Sequence, residues 1–191
     1  MAENKVVFGI KNVYFGTYSV GTTGTVTLGS PYHLPGTVNM SLEPQSEETV
    51  FYADDTRYYT NYSDNGFTGE LENAYFTNSF KTQFLNYITL SDGGIAQVKT
   101  AQNKTVYMMF ESEGDAEHRR GILYNVTLGQ INREYSTTED QKEPKTATLS
   151  FTVNGDNGTG ITKVSYGESA SGYNSLFTNP PSPALPSNTT T

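Results

Sequence analysis

The chain contains no cysteine and no tryptophan, and only two of its 191 residues are histidine. Without cysteine there is no disulfide bond, no thiolate metal site and no cysteine nucleophile. Lysine and arginine number 12 against 20 aspartates and glutamates, which gives a formal net charge of −8. Because nucleic-acid-binding proteins grip phosphates with clustered basic residues, this acidic balance disfavours that class.

Two kinds of segment are also missing. The opening MAENKVVFGIKNVYF lacks the apolar core of a signal peptide, so we expect no secretory leader. No stretch approaches the apolar length of a membrane span, so we expect no membrane partner.

The hydrophobic residues of the chain are few, and many of them are aromatic. Only 35% of its residues are hydrophobic, and 14 tyrosines and 10 phenylalanines supply much of that share. Tyrosine suits surfaces that become interfaces, because its ring can be buried while its hydroxyl stays wet, although it is also an ordinary strand residue.

The length suits one domain with arms. We predict a domain over residues 1–167 and a proline-rich C-terminal arm or tail over 168–191.

The dominant periodicity is two. Apolar residues alternate with others at 38–42, 106–110, 122–128 and 148–153, with Gly-, Asn- and Asp-rich turn signals between the runs. This pattern predicts antiparallel strands with one buried face. The exception is TNSFKTQFLNYIT, where a stripe at helical spacing predicts one helix over about 78–89; the stripe comprises Phe80, Phe84, Leu85 and Ile88.

Residues 44–66 form a long excursion without sustained alternation. The segment combines Pro44, an acidic run and a tyrosine-rich end that includes FYADDTRYYTNY. It is interpreted as a long loop or a protruding hairpin, and such excursions are often functional.

Known catalytic, phosphate-binding and metal-binding motifs are absent from the sequence. Carboxylates of residues 111–117 next to His118 could attract a cation, but their spacing fits no calcium loop and Arg119 and Arg120 follow directly. A solvated hairpin tip is the preferred interpretation. We predict no catalytic residue, no metal site and no cofactor.

Asp54 and Asp55 raise the question of a general acid and base, as in glycosidases. Successive residues of a strand point to opposite faces, which disfavours a shared site. One aspartate could instead pair with Arg57 or cap a turn.

The tyrosines of the same stretch allow three further interpretations. Tyr52, Tyr58, Tyr59 and Tyr62 could stack on sugar rings, although such platforms usually favour tryptophan. They could anchor a protein interface with aspartate and arginine at its rim. They could also be ordinary strand tyrosines beside a polar loop.

Several of these segments, in this order, resemble a known family. KVVFGIKNVYF, then LPGTVNMSLEP, then FYADDTRYYTNYSDNGFTGELE are similar to the major tail proteins of long, non-contractile-tailed phages of Gram-positive bacteria. FYADD, followed by tyrosines and NGFTGELE, is the most specific part. The resemblance covers residues 5 to 90 and does not reach the segment from 168 onward.

The resemblance implies a mainly β fold of two packed antiparallel sheets, sandwich or barrel-like, with one flanking helix, a long loop and extended terminal arms. It implies hexameric rings that stack into a tail tube. That tube surrounds the tape-measure protein and later conducts double-stranded DNA without binding it specifically.

The implied partners are further copies of the chain, the tape-measure protein and the terminator and initiator proteins of the tail. The implied location is the phage virion, after assembly in the cytoplasm of the host bacterium. No catalytic residue or cofactor belongs to this function, so the chain is not predicted to be an enzyme.

Within this scheme, residues 44–66 are interpreted as the stacking loop. Seven residues are predicted at the subunit interface: Tyr52, Asp54, Asp55, Arg57, Tyr58, Tyr59 and Tyr62. The alternative is a carbohydrate-binding or adhesive β-sandwich module that uses the tyrosines of residues 51–62.

Overall fold

The computed structural model describes residues 9–53, 55–99, 104–114, 118–135, 137 and 145–186, and of residues 48, 49, 51–53 and 60–62 only the backbone. The described elements, in chain order, are β1 (Gly9–Val20), β2 (Val26–Leu28), β3 (Tyr32–Leu34), β4 (Thr37–Ala53), β5 (Thr56–Asn73), α1 (Asn78–Phe84), β6 (Ile88–Thr89), β7 (Ile95–Ala96), β8 (Thr105–Glu113), β9 (Arg120–Arg133), β10 (Ala147–Val153) and β11 (Lys163–Tyr166).

Nine of the strands form one antiparallel sheet. Its path runs β2-β1-β8-β9-β10-β5-β4, with β3 added beside β1 and β11 added beside β9, while β6 and β7 pair separately. Although β1 and β4 lie far apart along this path, they contact each other, and Ile10 and Met40 line one groove. The sheet therefore curls towards closure, as barrels do. The prediction of a mainly β, antiparallel fold with one flanking helix is confirmed.

An aromatic cluster fills the inside of the curl. The ring of Phe80 lies 5.1 Å from that of Phe15, 5.2 Å from that of Phe84 and 5.4 Å from that of Phe76, and all four side chains are fully buried. Leu149 and Val153 point into the same core while Ser150 between them is exposed. The period-two pattern of this strand therefore reports its buried face as predicted.

The helix is shorter than the predicted 78–89. Thr77 caps its start, because the threonine Oγ1 accepts a hydrogen bond of 3.1 Å from the Phe80 amide. Its end follows from Asn86, whose φ of 52° lies in the left-handed region that asparagine tolerates. Ile88 consequently lies in β6, half exposed, whereas the other three residues of the predicted stripe are buried.

The segment 44–66 is a hairpin rather than an irregular loop. β4 and β5 stay paired through it, from Pro44 opposite Phe67 to Ala53 opposite Thr56, with register shifts after Pro44 and at Phe51. These shifts and the polar residues on both faces explain why alternation is hard to see in the sequence.

The second face of the sheet is covered by residues 167–181, named here the C-terminal strap. Leu176 is fully buried there, and the Phe177 ring stacks on that of Tyr14 at 4.8 Å. The Tyr124 hydroxyl donates a 2.7 Å hydrogen bond to the Pro181 carbonyl. The described part of the predicted C-terminal arm thus packs on its own chain, and the division of the chain at residue 167 stays a prediction.

Gly66 fixes the point where the hairpin leaves the sheet. Its φ is 84°, and a Cβ there would lie 2.0 Å from the Val153 carbonyl oxygen. We expect Gly66→Ala to lower the free energy of unfolding by about 3 kcal/mol, because backbone strain and a backbone clash act together.

Gly93→Ala is the matched control in denaturant titrations. Gly93 has a similar φ of 86°, but nothing lies within 4 Å of its added Cβ. Strain alone should then cost about 1 kcal/mol. Equal losses in the two variants would contradict the role of the Val153 contact.

Candidate functional site

The long hairpin, residues 44–66, is the most protruding part of the described fold. β10 pairs with β5 only from Phe67 to Asn73, so the preceding residues of β5 run beyond the end of that neighbour. Eleven residues of β5, 56–66, correspond to about 35 Å of free two-stranded ribbon. A ribbon of this length has little core of its own and is suited to contacts outside the monomer.

The sequence builds a bend at the base of this ribbon. Pro44 has no amide hydrogen and stands at a register shift, which an edge strand tolerates. On the returning strand, the Asp64 carboxylate accepts a 2.9 Å hydrogen bond from the Gly66 amide. Together these residues set the direction in which the hairpin leaves the body.

The hairpin presents open strand edges. β4 ends the sheet path, and no strand among the described residues pairs with its outer edge. The same holds for β5 over residues 56–66 within the described part of the chain. Unpaired edges are templates for another strand, which natural proteins cover or protect with charge.

Charge is abundant here. The hairpin carries five carboxylates and one arginine, a net charge of −4 that makes up half of the chain's total. Glu47, Asp55 and Arg57 are exposed. Tyr58 and Tyr59 add aromatic surface, with 75% and 59% of their area exposed. Large exposed aromatic side chains beside charges resemble the makeup of protein interfaces.

Six of the seven predicted interface residues lie on the described part of the hairpin, and their role at an interface stays a prediction. Asp55 occupies the tip with a φ of 57°, a conformation that aspartate tolerates in turns. Tyr52 pairs in register with Arg57, and the backbone of Tyr62 pairs with that of Glu48. Asp54 lies outside the described residues.

The carboxylates before His118 have a partly structural role. Glu111 is buried, and its Oε2 accepts a 3.1 Å hydrogen bond from Nε of Arg120, while its Oε1 lies 3.4 Å from Nζ of Lys11. Burial by itself would raise the pKa of Glu111, but hydrogen bonds from Asn12, Arg120 and Lys11 hold it below its ordinary value. Residues 115–117 lie outside the described part.

Arg120 also holds the C-terminal strap. Its guanidinium lies 3.9 Å from the ring centre of Tyr173 and 4.6 Å from that of Phe177. Its Nη1 donates a 2.8 Å hydrogen bond to the Tyr173 carbonyl. One side chain therefore links a buried carboxylate to the strap.

Asp156 is a second buried carboxylate, in the glycine-rich run that the sequence marks as a turn. Oδ1 accepts a 2.6 Å hydrogen bond from the Tyr18 hydroxyl, and Oδ2 accepts from the Gly158 amide and from the amide and hydroxyl of Thr159. Burial alone would raise the pKa of Asp156, but these donors lower it overall. The group organises a loop rather than a ligand site. Among the described residues, no three His, Asp or Glu side chains cluster as metal ligands.

A basic groove lies at the other end of the sheet, and sequence reasoning missed it. Nζ of Lys81 and the guanidinium of Arg133 lie 5.6 and 5.5 Å from the ring centre of Tyr75. The groove beside them is lined by Phe76, Lys81, Tyr87, Gln97, Ile131, Arg133 and Tyr135. Its two cations come from segments 52 residues apart, so no local sequence signal marks it.

Neither a family model nor a curated protein matches this sequence. Solved structures do match in shape. A chain of the anti-feeding prophage cap, the tube terminating cap, aligns with a TM-score of 0.50 at 9% identity over 85% of this chain and 93% of its own. A chain of the PVC sheath-tube complex, an extracellular contractile injection system in its extended state, aligns at 0.49 and 8% identity over 86% and 94% of the two chains. A chain of the anti-feeding prophage baseplate aligns at 0.49 and 9% over 89% and 100%.

The chain therefore has a fold similar to that of a chain in the anti-feeding prophage cap. No helix in the part of the chain that the structure describes has the length and hydropathy needed to cross a membrane.

Proposed function

We propose that this chain is a structural protein of a phage tail or a related particle, and that it self-assembles into stacked rings, six copies each, which form the tail tube. The observation that carries the proposal is the long hairpin. It extends about 35 Å beyond its sheet neighbour with open edges, exposed tyrosines and half of the chain's net charge. Such a feature has no use in an isolated monomer and is a liability unless a partner covers it.

Two further observations support the proposal. The fold is similar to that of a chain in the anti-feeding prophage tube terminating cap. The sequence of residues 5 to 90 resembles major tail proteins of non-contractile-tailed phages of Gram-positive bacteria, which is the narrower origin we propose. In this assembly the seven predicted interface residues of the hairpin contact a neighbouring copy.

The charge of the chain fits a DNA conduit. Every copy adds a formal charge of −8. A lumen that shares this sign does not capture phosphates, so double-stranded DNA slides through it. The tape-measure protein occupies the lumen first, and terminator and initiator proteins lie at the two ends of the tube. The proposed location is the virion, with assembly in the host cytoplasm and no enzymatic step.

Light scattering over a range of concentrations, with negative-stain microscopy of the same fractions, tests the proposal. We expect rings or tubes with an open lumen. Tyr58→Ala with Tyr59→Ala should leave the monomer folded and raise the concentration needed for assembly about 30-fold or more, since each lost interface anchor costs about 1–2 kcal/mol. The exposed Val20, which lies in neither the hairpin nor the groove, replaced by alanine, checks for nonspecific loss of apolar surface.

The alternative is a carbohydrate-binding or adhesive module, favoured by the exposure of Tyr58. It predicts a stable monomer whose tyrosine fluorescence changes with glycans. A strict monomer that responds to a glycan would contradict the tube, whereas unimpaired assembly of the double variant would contradict the interface role of Tyr58 and Tyr59.

A further inference from the structure

We infer that the basic groove beside Tyr75 is the docking site for the acidic long hairpin of a second copy of this chain. The inference rests on the proposed self-assembly and names the two surfaces that meet. Its first basis is charge. The hairpin is the most acidic protruding part of the described fold, and the groove sets two cations beside one aromatic ring.

The cations of the groove are available to an incoming acid. Among the described residues, no carboxylate lies within ion-pair distance of Lys81 or Arg133, whereas Lys11 and Arg120 are both paired. Glu134 follows Arg133 and is exposed, but it forms no ion pair with either cation. Two cations without a carboxylate partner among the described residues of an acidic protein mark a surface that attracts negative charge.

The groove also has the aromatic residues of an interface. Tyr135 is 86% exposed and Tyr75 is 52% exposed, and both lie at its rim. The hairpin brings exposed tyrosines of its own in Tyr58 and Tyr59. Tyrosine and arginine are the residues most enriched where interfaces are strongest.

The positions of the two surfaces determine what their contact builds. β5 begins at the hairpin tip with Thr56 and ends at Asn73, beside Ala147 and Arg133 in the adjacent strands. Its 18 residues span about 55 Å, so tip and groove lie at opposite ends of one strand. A contact between two different surfaces is heterologous, and each copy that joins leaves a free tip at one end and a free groove at the other. Such a contact propagates and fits the stacking of rings along a tube axis.

Two complementary variants test this inference. The groove variant carries Lys81→Glu and Arg133→Glu. The hairpin variant carries Glu47→Gln, Glu48→Gln, Asp54→Asn and Asp55→Asn, and keeps Asp64 because that side chain holds the Gly66 amide. At low salt, we expect the groove variant, with two reversed charges, to need about 100-fold higher concentration for growth, since each opposed or lost charge at an interface costs roughly tenfold. The hairpin variant, which loses four charges, should need at least as large an increase.

Mixing the two variants gives the sharper result. A hairpin-neutral copy still offers its groove, and a groove-reversed copy still offers its hairpin. An equimolar mixture should therefore form species larger than either variant alone but no long tubes, because each complex leaves only defective surfaces free.

Arg133→Glu and Lys163→Glu provide a charge-matched pair, because Lys163 is an exposed lysine on β11 near the opposite end of β9. Only the first should impair growth.

Four outcomes would overturn the inference, and one of them separates it from the proposed function. Unimpaired growth of the groove variant would contradict the docking site without contradicting the proposal that the chain forms a tube. A wild-type chain that stays monomeric at every concentration would contradict both the docking site and the proposed tube. If the groove variant's monomer loses as much unfolding free energy in urea as the variant loses in assembly free energy, the two cations stabilise the chain's own fold rather than a contact between copies. A wild-type chain that binds a short DNA duplex through these cations, with assembly unaffected by their reversal, assigns the groove to nucleic acid.

Discussion

Replacing Arg120 with methionine is expected to lower the free energy of unfolding by about 3 kcal/mol and to detach the C-terminal strap from the sheet. The methionine keeps an unbranched apolar stem but removes the guanidinium. Glu111, whose side chain is only 7% exposed, then loses its closest cation and keeps Lys11 at 3.4 Å. Removing one partner of a buried ion pair costs about 3–5 kcal/mol, and the remaining lysine offsets part of that. The strap loses two ring contacts and the hydrogen bond to the Tyr173 carbonyl.

Denaturant titration and limited proteolysis measure the two effects separately. We expect new cleavage within residues 167–181 under conditions in which the body stays intact. Lys163→Met is the control, since Lys163 is an exposed cation on β11. Arg120→Lys keeps the charge without the planar group that stacks on Tyr173 and Phe177, so partial detachment is expected. A strap that stays protected in Arg120→Met would show that Leu176 and Phe177 hold it without the guanidinium.

Asp156→Ala is expected to lower the free energy of unfolding by about 3 kcal/mol at neutral pH. Its carboxylate accepts four hydrogen bonds, and only 3% of the residue is exposed. Removing it leaves the buried Tyr18 hydroxyl without its acceptor, and a buried unsatisfied group costs about 1–3 kcal/mol. Asp156→Asn keeps an oxygen for one side of the cluster only, so about half of that loss is expected. Asp92→Ala, at an exposed turn with the same type of aspartate–glycine hydrogen bond, should cost under 1 kcal/mol.

The contribution of Asp156 depends on pH. Because its folded pKa is lower than its ordinary value of 3.8, the stabilisation is complete above that value and is lost as the pH falls through the folded pKa. The difference in unfolding free energy between wild type and Asp156→Asn should be constant from neutral pH down to about 5 and shrink at lower pH. Thermal melts over this range measure it. A difference independent of pH would mean that the carboxylate is not charged in the folded protein.

The strand pattern was predictable because local alternation reports burial in β10, where Leu149 and Val153 face the core. It was less informative in β8. The alternation there suggested one buried face, but Tyr107 and Met109 are as fully buried as Val106 and Met108. The cause is the C-terminal strap, which covers the second face from more than 60 residues further along the chain. No local pattern in β8 encodes that cover.

The sequence predicted where the candidate site lies and left its form open between a long loop and a protruding hairpin. Tyrosines and acids over residues 51–62 identified the exposed segment, and Tyr58 and Tyr59 are indeed exposed. The sequence could not decide for the hairpin, because the register shifts after Pro44 and at Phe51 interrupt the alternation that marks a strand. The basic groove could not be foreseen, since only the tertiary fold brings Lys81 and Arg133 to the same ring.

The order of strands along the sheet also determines what happens on the ribosome. β4 and β5 are neighbours in the chain, so the long hairpin can pair as soon as residue 73 has emerged, whereas its platform, β10, is complete only at residue 153. At a translation rate of roughly 10 residues per second, synthesis of the next 80 residues takes about 8 s. During this time the edges of the ribbon are unpaired, and identical ribbons lie on neighbouring ribosomes of the same messenger RNA. Strand edges that meet in this way aggregate. We expect the five carboxylates of the hairpin to repel their counterparts during that interval, so that its acidity lowers the tendency of nascent chains to aggregate.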